Sequence, residues 1–365
     1  MKRGRENGQD LSSRGTGRGE QGRGRGGDQR RGGVTRGDKP HEQYLPEQKL
    51  RNDQWAEQLH PRHLVKGEGC GYTITLAVPG SIVRNAPTRE LKSVIIGQIA
   101  RAAVIHEVDE IVIFVDSAAE ASSPDPDKTP SVFCCRLLQY LECPSYLRRN
   151  LFPHHPDLSS VGLLPTLDTP HHMRQSDESL YREGATTSTV PKSEGGVMVH
   201  VGLGVEVFLP RPIKPGVRVT VKFDDEQNCF AVKPTEPREK HGIYWGYSTR
   251  LAKTLSEVFS GSPYPGGYDF LIGNGMDKAS PLSGDATALK KKFKHLLVVF
   301  GGSHGGIEAC VEADETLSTK GRDAANLFDL WVNLSPTHGC KQVRTEEAVF
   351  IGLSKLAPLI QKAQK

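Results

Sequence analysis

The chain has 365 residues, 36% of them hydrophobic and 25% charged, with a formal charge of +4. Residues 1–37 hold nine Arg and Lys2 against four acids, a balance of +6, which leaves −2 for residues 38–365, so the folded part is not a uniformly basic particle. No apolar run approaches the roughly 20 residues of a membrane span, and the first residues lack an apolar signal region, so a soluble chain is expected. The seven Cys and thirteen His fall in no zinc or redox spacing, which argues for reduced thiols and against a metal site.

Residues 1–37 repeat Arg-Gly units, for example Arg23-Gly24-Arg25-Gly26-Gly27, with only Leu11 and Val34 as sizeable apolar residues. Such a segment cannot bury a core, but its guanidinium groups suit phosphates and base faces. With the polar stretch that follows, it forms a tail and linker over 1–69, where a helix between Pro46 and His60 is expected. An α/β pattern begins at Cys70. Tyr72–Val78 is β-rich, Pro87-Thr88-Arg89-Glu90 opens a helix that turns Leu91, Val94, Ile95 and Ile99 to one face, and Ile111–Val115 is a wholly apolar run ending at Asp116. A strand buried on both faces of a parallel sheet requires such a run. Ser117–Pro130 is a loop, and Ser131–Leu147 is expected to be helical.

The pattern then changes. From Gly195 to about Val232, within a segment bounded at 178–239, no helical period persists, and Val217, Val219, Val221 and Phe223 alternate with Arg218, Thr220 and Lys222. This segment is either a small inserted β-barrel or an elaborate hairpin excursion. The first part of the α/β domain is thus 70–177, and its remainder is 240–365. In that remainder Thr249–Phe259 is expected to be helical, Phe270–Ile272, Leu296–Phe300 and Leu327–Leu334 are expected strands, and a last helix starts at Thr345.

Each of these last strands runs into an unusual loop. Ile272 leads into Gly273-Asn274-Gly275, Phe300 into Gly301-Gly302, and Leu334 into Ser335 … Gly339 … Val343-Arg344. Ligands of open α/β sheets bind outside the carboxyl ends of the strands, where these loops meet. No phosphate-cradling or dinucleotide fingerprint is present, so a nucleoside without phosphates fits better than a nucleotide. The alternative is a purely structural run of tight turns.

The string Val298-Val299-Phe300-Gly301-Gly302 … Glu308, with Asn333 … Gly339 … Val343-Arg344-Thr345-Glu346-Glu347-Ala348, resembles the archaeal and eukaryotic branch of the SPOUT-class RNA methyltransferases. So do Leu141–Arg148, His171-His172-Met173-Arg174 and Gly242–Tyr247. The likeness spans about residues 70–360. It implies an α/β trefoil-knot core carrying an inserted OB-like β-barrel, and S-adenosyl-L-methionine as cofactor. The cofactor would be held by Ile272, Gly273, Asn274, Phe300, Gly301, Gly302, Asn333, Ser335, Gly339 and Val343. It further implies a homodimer formed through the knot, with RNA reached by the tail, the insertion and the knot face, and no membrane. Nucleus or nucleolus is the implied location, with cytoplasm or the mitotic spindle and kinetochore as the alternative.

The first loop of the family usually reads Gly-Thr-Ser-Glu-Arg-Gly, where this chain has Gly273-Asn274-Gly275-Met276-Asp277-Lys278. Methyl transfer to a uridine N3 or a ribose hydroxyl needs a base, and Glu308 and Asp277 are the candidates. Arg344 suits a phosphate or the cofactor carboxylate. The rival reading is a knotted RNA-binding or assembly factor without activity, or a scaffold for spindle partners. If the tail grips phosphates, deleting residues 1–37 weakens RNA binding and flattens its salt dependence, because fewer counterions are released. Filter binding across a salt series tests this, and an unchanged affinity and slope would make the tail a solubility or targeting device.

Overall fold

The computed structural model describes residues 67–190, 195–224, 228–275, 280–282, 289, 292–302 and 305–365. The Arg-Gly tail, the expected helix between Pro46 and His60, Asp277 and Lys278 lie outside these residues. The first strand, β1 (Thr73–Pro79), leads to helix α1 (Arg89–Ile105), whose start is fixed by Thr88 accepting the Leu91 N–H at 3.3 Å. Next come β2 (Glu110–Phe114) and α2 (Pro130–Glu142), with Pro130 in the first turn. Helix α2 stops short of the expected Leu147, because Pro144 follows directly on its cap.

Five strands then follow: β3 (Tyr181–Thr186), β4 (Val197–Leu203), β5 (Val205–Leu209), β6 (Arg218–Phe223) and β7 (Cys229–Val232). The short helix α3 (Glu236–His241) returns the chain to β8 (Ser248–Ala252) and α4 (Leu255–Ser260). The remaining elements are β9 (Phe270–Asn274), β10 (Ser280–Pro281), β11 (His295–Phe300), α5 (Gly306–Ala313), β12 (Leu330–Asn333) and α6 (Thr345–Gln364).

Seven strands form one parallel sheet in the order β10-β12-β9-β11-β1-β2-β8. Alternate side chains feed two cores: Leu76, Val78, Ile111 and Val298 pack with α1, α2 and α6, whereas Ala77, Val112 and Val299 pack with α4 and α5. Two expectations fail here. Thr249–Ala252 is an edge strand rather than the start of a helix, because pairing with β2 supplies its hydrogen bonds and Thr254 caps the helix only afterwards. Leu91 and Val94, expected on the buried face of α1, are exposed, as are Phe350 and Ile351 of α6.

The second sheet is antiparallel and curled like half a barrel, in the order β5-β4-β3-β6-β7. One face packs on Val197, Val199, Val201, Leu209 and Val221. The polar alternation of β6 is not turned to water. Arg218 grips Glu142 at the end of α2 with both terminal nitrogens, at 2.5 and 3.0 Å, and donates from Nε to Glu183 of β3 at 2.6 Å. Thr220 and the Trp245 indole N–H both donate to the other Glu183 oxygen at 2.6 Å, and His171 Nε2 lies 2.9 Å from Glu142 Oε1. Gly246 has φ +86°, and a Cβ there would stand 2.4 Å from the Glu142 carboxylate, so only glycine lets the chain pass.

This network joins the two sheets. Burial works against ionising Glu142, but the Arg218 guanidinium and then His171 outweigh it and hold the carboxyl at about 2. Removing one partner leaves buried charge unpaired, so Arg218→Ala is expected to cost about 3–5 kcal/mol in denaturant unfolding. A carboxyl whose folded pKa is depressed stabilises above its unfolded value and loses that contribution as pH falls. Wild-type stability should therefore decline as pH drops from about 4.5 towards 2. Arg218→Ala should lose most of that dependence, and equal acid sensitivity in both proteins would count against the network.

Candidate functional site

Because all seven strands run the same way, their carboxyl ends share one edge, and β12, β9 and β11 are neighbours there. Asn274 is in register with Phe300 on one side and Val332 on the other. The loops behind them are tied together: the Asn274 side chain accepts the Leu334 N–H at 3.1 Å, and Asn333 accepts the Ser335 N–H at 2.9 Å. Thr345 donates to the Gly301 carbonyl at 3.1 Å, and Lys355 donates to the Leu334 carbonyl at 2.7 Å. Ile272 and Phe300 are buried in the core, so only their main chains are available to a ligand.

The glycines differ in what they accommodate. Gly273 and Gly275 lie against the indole of Trp331, where a Cβ would stand 2.6 and 2.1 Å from ring atoms. The flat ring that these two accept is therefore one of the chain's own. Gly301 has backbone of Gly306 and Ile307 within 2.2 Å of its missing Cβ, so the turn into α5 closes tightly on it. At Gly302 a Cβ would meet Ser81 Oγ at 3.3 Å, with Asp116 Oδ2 and a Pro79 ring carbon at 3.6 Å, so the glycine lies close against the β1 and β2 loops. Gly339 has nothing within 4 Å, and its loop is largely exposed.

Polar groups without partners gather at the same edge. Ser335 Oγ and both carboxylate oxygens of Glu308, in the first turn of α5, are buried with no hydrogen bond among the described residues. Val343 packs on the main core, while Arg344 is exposed just ahead of α6, its N–H donating to Glu347 at 2.9 Å. Asp277 lies outside the described residues. The structure thus brings together Asn274, Phe300, Gly301, Asn333, Ser335 and the start of α6, and leaves Gly339 apart.

Two residues that the sequence reading did not select also belong to this edge. Ser81, after β1, donates to Asp116, after β2, at 2.5 Å, and Asp116 Oδ1 is buried with no partner among the described residues. Burial raises the Asp116 carboxyl above its ordinary range. The signal available was its place as the first acid after the wholly apolar run Ile111–Val115. The arrangement can hold a nucleoside against main-chain groups and present carboxylates to it.

A family model described as "Putative RNA methyltransferase" matches residues 73–356. A Homo sapiens protein named 28S rRNA (uridine-N(3))-methyltransferase is 43% identical over 308 residues, covering 80% of this chain and 80% of its own length. Proteins of the same name are 42% identical in Mus musculus over 305 residues (80% of this chain, 77% of theirs) and 41% identical in Drosophila melanogaster over 309 residues (79% and 62%). With the family model spanning most of the chain and three relatives above 40% identity, this chain belongs to that family of RNA methyltransferases.

Proposed function

We propose that this protein transfers a methyl group from S-adenosylmethionine to N3 of a uridine in ribosomal RNA. The observation that carries the reading is the 41–43% identity to proteins named for that reaction on 28S rRNA. The carboxyl edge supports such a cofactor: Ser335 Oγ is buried with no partner among the described residues, and Gly302 puts no side chain there. Asn274, Gly301, Gly302, Asn333 and Ser335 would hold its nucleoside part, with Ile272, Gly273, Phe300, Gly339 and Val343 shaping the walls. When bound, S-adenosylmethionine supplies an electrophilic methyl group.

The chain's own groups then do the aligning. Arg344 stands at the N-terminus of a 20-residue helix beside Glu346 and Glu347, and its guanidinium suits an anion, either an RNA phosphate or the cofactor carboxylate. Glu308 and Asp277 are proposed to stand near the proton that leaves the base.

The same reading places the C-terminal part in the SPOUT class with a trefoil knot, and makes the five-stranded sheet an OB-like insertion. Support for the first comes from the ties of Leu334 to Asn274, Thr345 to Gly301 and Lys355 to Leu334. The domains would be 1–69, 70–177, 178–239 and 240–365. Exposed Leu91 and Val94 of α1 with Phe350 and Ile351 of α6 suit the homodimer face, and ribosomal RNA as substrate suits the nucleolus.

Incubating the full chain with 28S rRNA and methyl-tritiated cofactor, followed by nucleoside analysis, should place the label in 3-methyluridine. A lost charge-assisted contact costs about 1.5–3 kcal/mol, so Arg344→Ala should slow transfer roughly ten- to over a hundredfold. A wild-type protein that binds cofactor and RNA yet labels no RNA would favour the assembly-factor reading.

A further inference from the structure

The sheet changes direction of growth at β1. From there the chain adds β2 and β8 on one side and β11, β9 and β12 on the other, so the crevice between the β1 and β11 loops is a topological switch point. Ser81 and Gly302 meet there, a Cβ on Gly302 standing 3.3 Å from Ser81 Oγ, and Asp116 stands beside them. Ser81 occupies Oδ2 of Asp116, which fixes the carboxylate, while Oδ1 is buried without a partner among the described residues. A buried acceptor left empty is unfavourable unless a ligand donor completes it.

The surroundings select the kind of donor. Arg84, close in sequence, is engaged by Ser117 at 2.9 Å and Glu120 at 3.4 Å rather than by Asp116. Burial, then the charges of Asp116 and Glu308, push the Cys310 thiol of α5 up to about 12. A fixed carboxylate acceptor suits a neutral N–H of raised acidity. Uracil carries such a group, the imide N3–H flanked by two carbonyls. Cytosine has a lone pair at N3 and would be repelled by a carboxylate.

We infer that Asp116, held by Ser81, reads the uracil imide through Oδ1 and takes its N3 proton. The N3–H bond breaks, its electron pair stays on nitrogen, and the proton adds to Asp116 Oδ1. The anionic N3 is then the nucleophile. This deepens the uridine-N3 reading and rests on it. Gly302 serves it by putting no side chain against the pair, since a Cβ there would stand 3.3 Å from Ser81 Oγ and 3.6 Å from Asp116 Oδ2.

The test uses the full chain, its Asp116→Asn, Ser81→Ala and Glu308→Gln variants, and a 28S rRNA oligonucleotide with either uridine or 3-methyluridine at one position. The asparagine keeps an oxygen for Ser81, and thermal unfolding checks that each variant is folded. In anisotropy titrations wild type should prefer uridine by about fivefold or more, the worth of one hydrogen bond, and Asp116→Asn should lose that preference. In single-turnover methylation Asp116→Asn should be roughly 10²–10⁴-fold slower, with calorimetric cofactor affinity unchanged. Ser81→Ala, which keeps the acid but frees its orientation, should show a smaller loss of rate and preference.

Wild-type rate and preference in folded Asp116→Asn would overturn the assignment. So would loss of the uridine preference in Glu308→Gln alone. Should Asp116→Asn not fold, an unaltered Ser81→Ala overturns it by itself. A wild type that methylates no uridine sinks the underlying reading instead.

Discussion

A parallel strand cannot turn back into its neighbour. Each of the seven strands in the large sheet must leave at the same edge and return along a helix or loop outside it. That polarity gathers Ser81, Asp116, Asn274, Gly301 and Asn333 from distant parts of the sequence onto one rim. The hydrogen bonds among the rim loops then fix them relative to one another, and the helix after the last strand begins on the Gly301 carbonyl. The sheet itself holds the walls of this edge in register.

The second sheet depends on a different constraint. A half-barrel with one oily face would ordinarily turn its polar face to water. Here Arg218, Thr220 and Glu183 on that face meet Glu142, His171 and Trp245 from the α/β part. Arg218 and Glu142 are 76 positions apart, and the ion pair fixes the angle between an insertion and its host where apolar packing alone would allow sliding. The three sequence segments Leu141–Arg148, His171–Arg174 and Gly242–Tyr247, far from the rim loops, converge on this joint.

Much of the large sheet was legible in the sequence because burial on both faces forces runs such as Ile111–Val115 and Leu296–Phe300. Its edge was not. Thr249–Ala252 has one exposed side and a helix directly after it, so its apolar spacing merged with that of α4. The outward turn of Leu91 and Val94 was hidden for a similar reason: helical period marks a stripe but not whether anything covers it. At the site, the glycine loops and Ser335 could be picked out by position. Trp331 over Gly273 and Gly275 could not, since the contact depends on the β9–β12 register. Asp116 was visible as the acid ending a buried strand, but its meaning required Ser81 and Gly302 to be seen beside it. Nothing local in β6 indicated that Arg218 points inward rather than to solvent.

The central claim is that the carboxyl edge between the β9, β11 and β12 loops is where cofactor and uridine meet. A crystal structure of the full chain with S-adenosylhomocysteine and a uridine-containing 28S rRNA oligonucleotide tests it most directly. The account predicts the adenosyl group against Gly302 and Ser335, with the uracil N3 within hydrogen-bond reach of Asp116. A cofactor bound elsewhere, for instance in the cleft lined by Gln139, Phe152 and Thr249 between the two sheets, would contradict it.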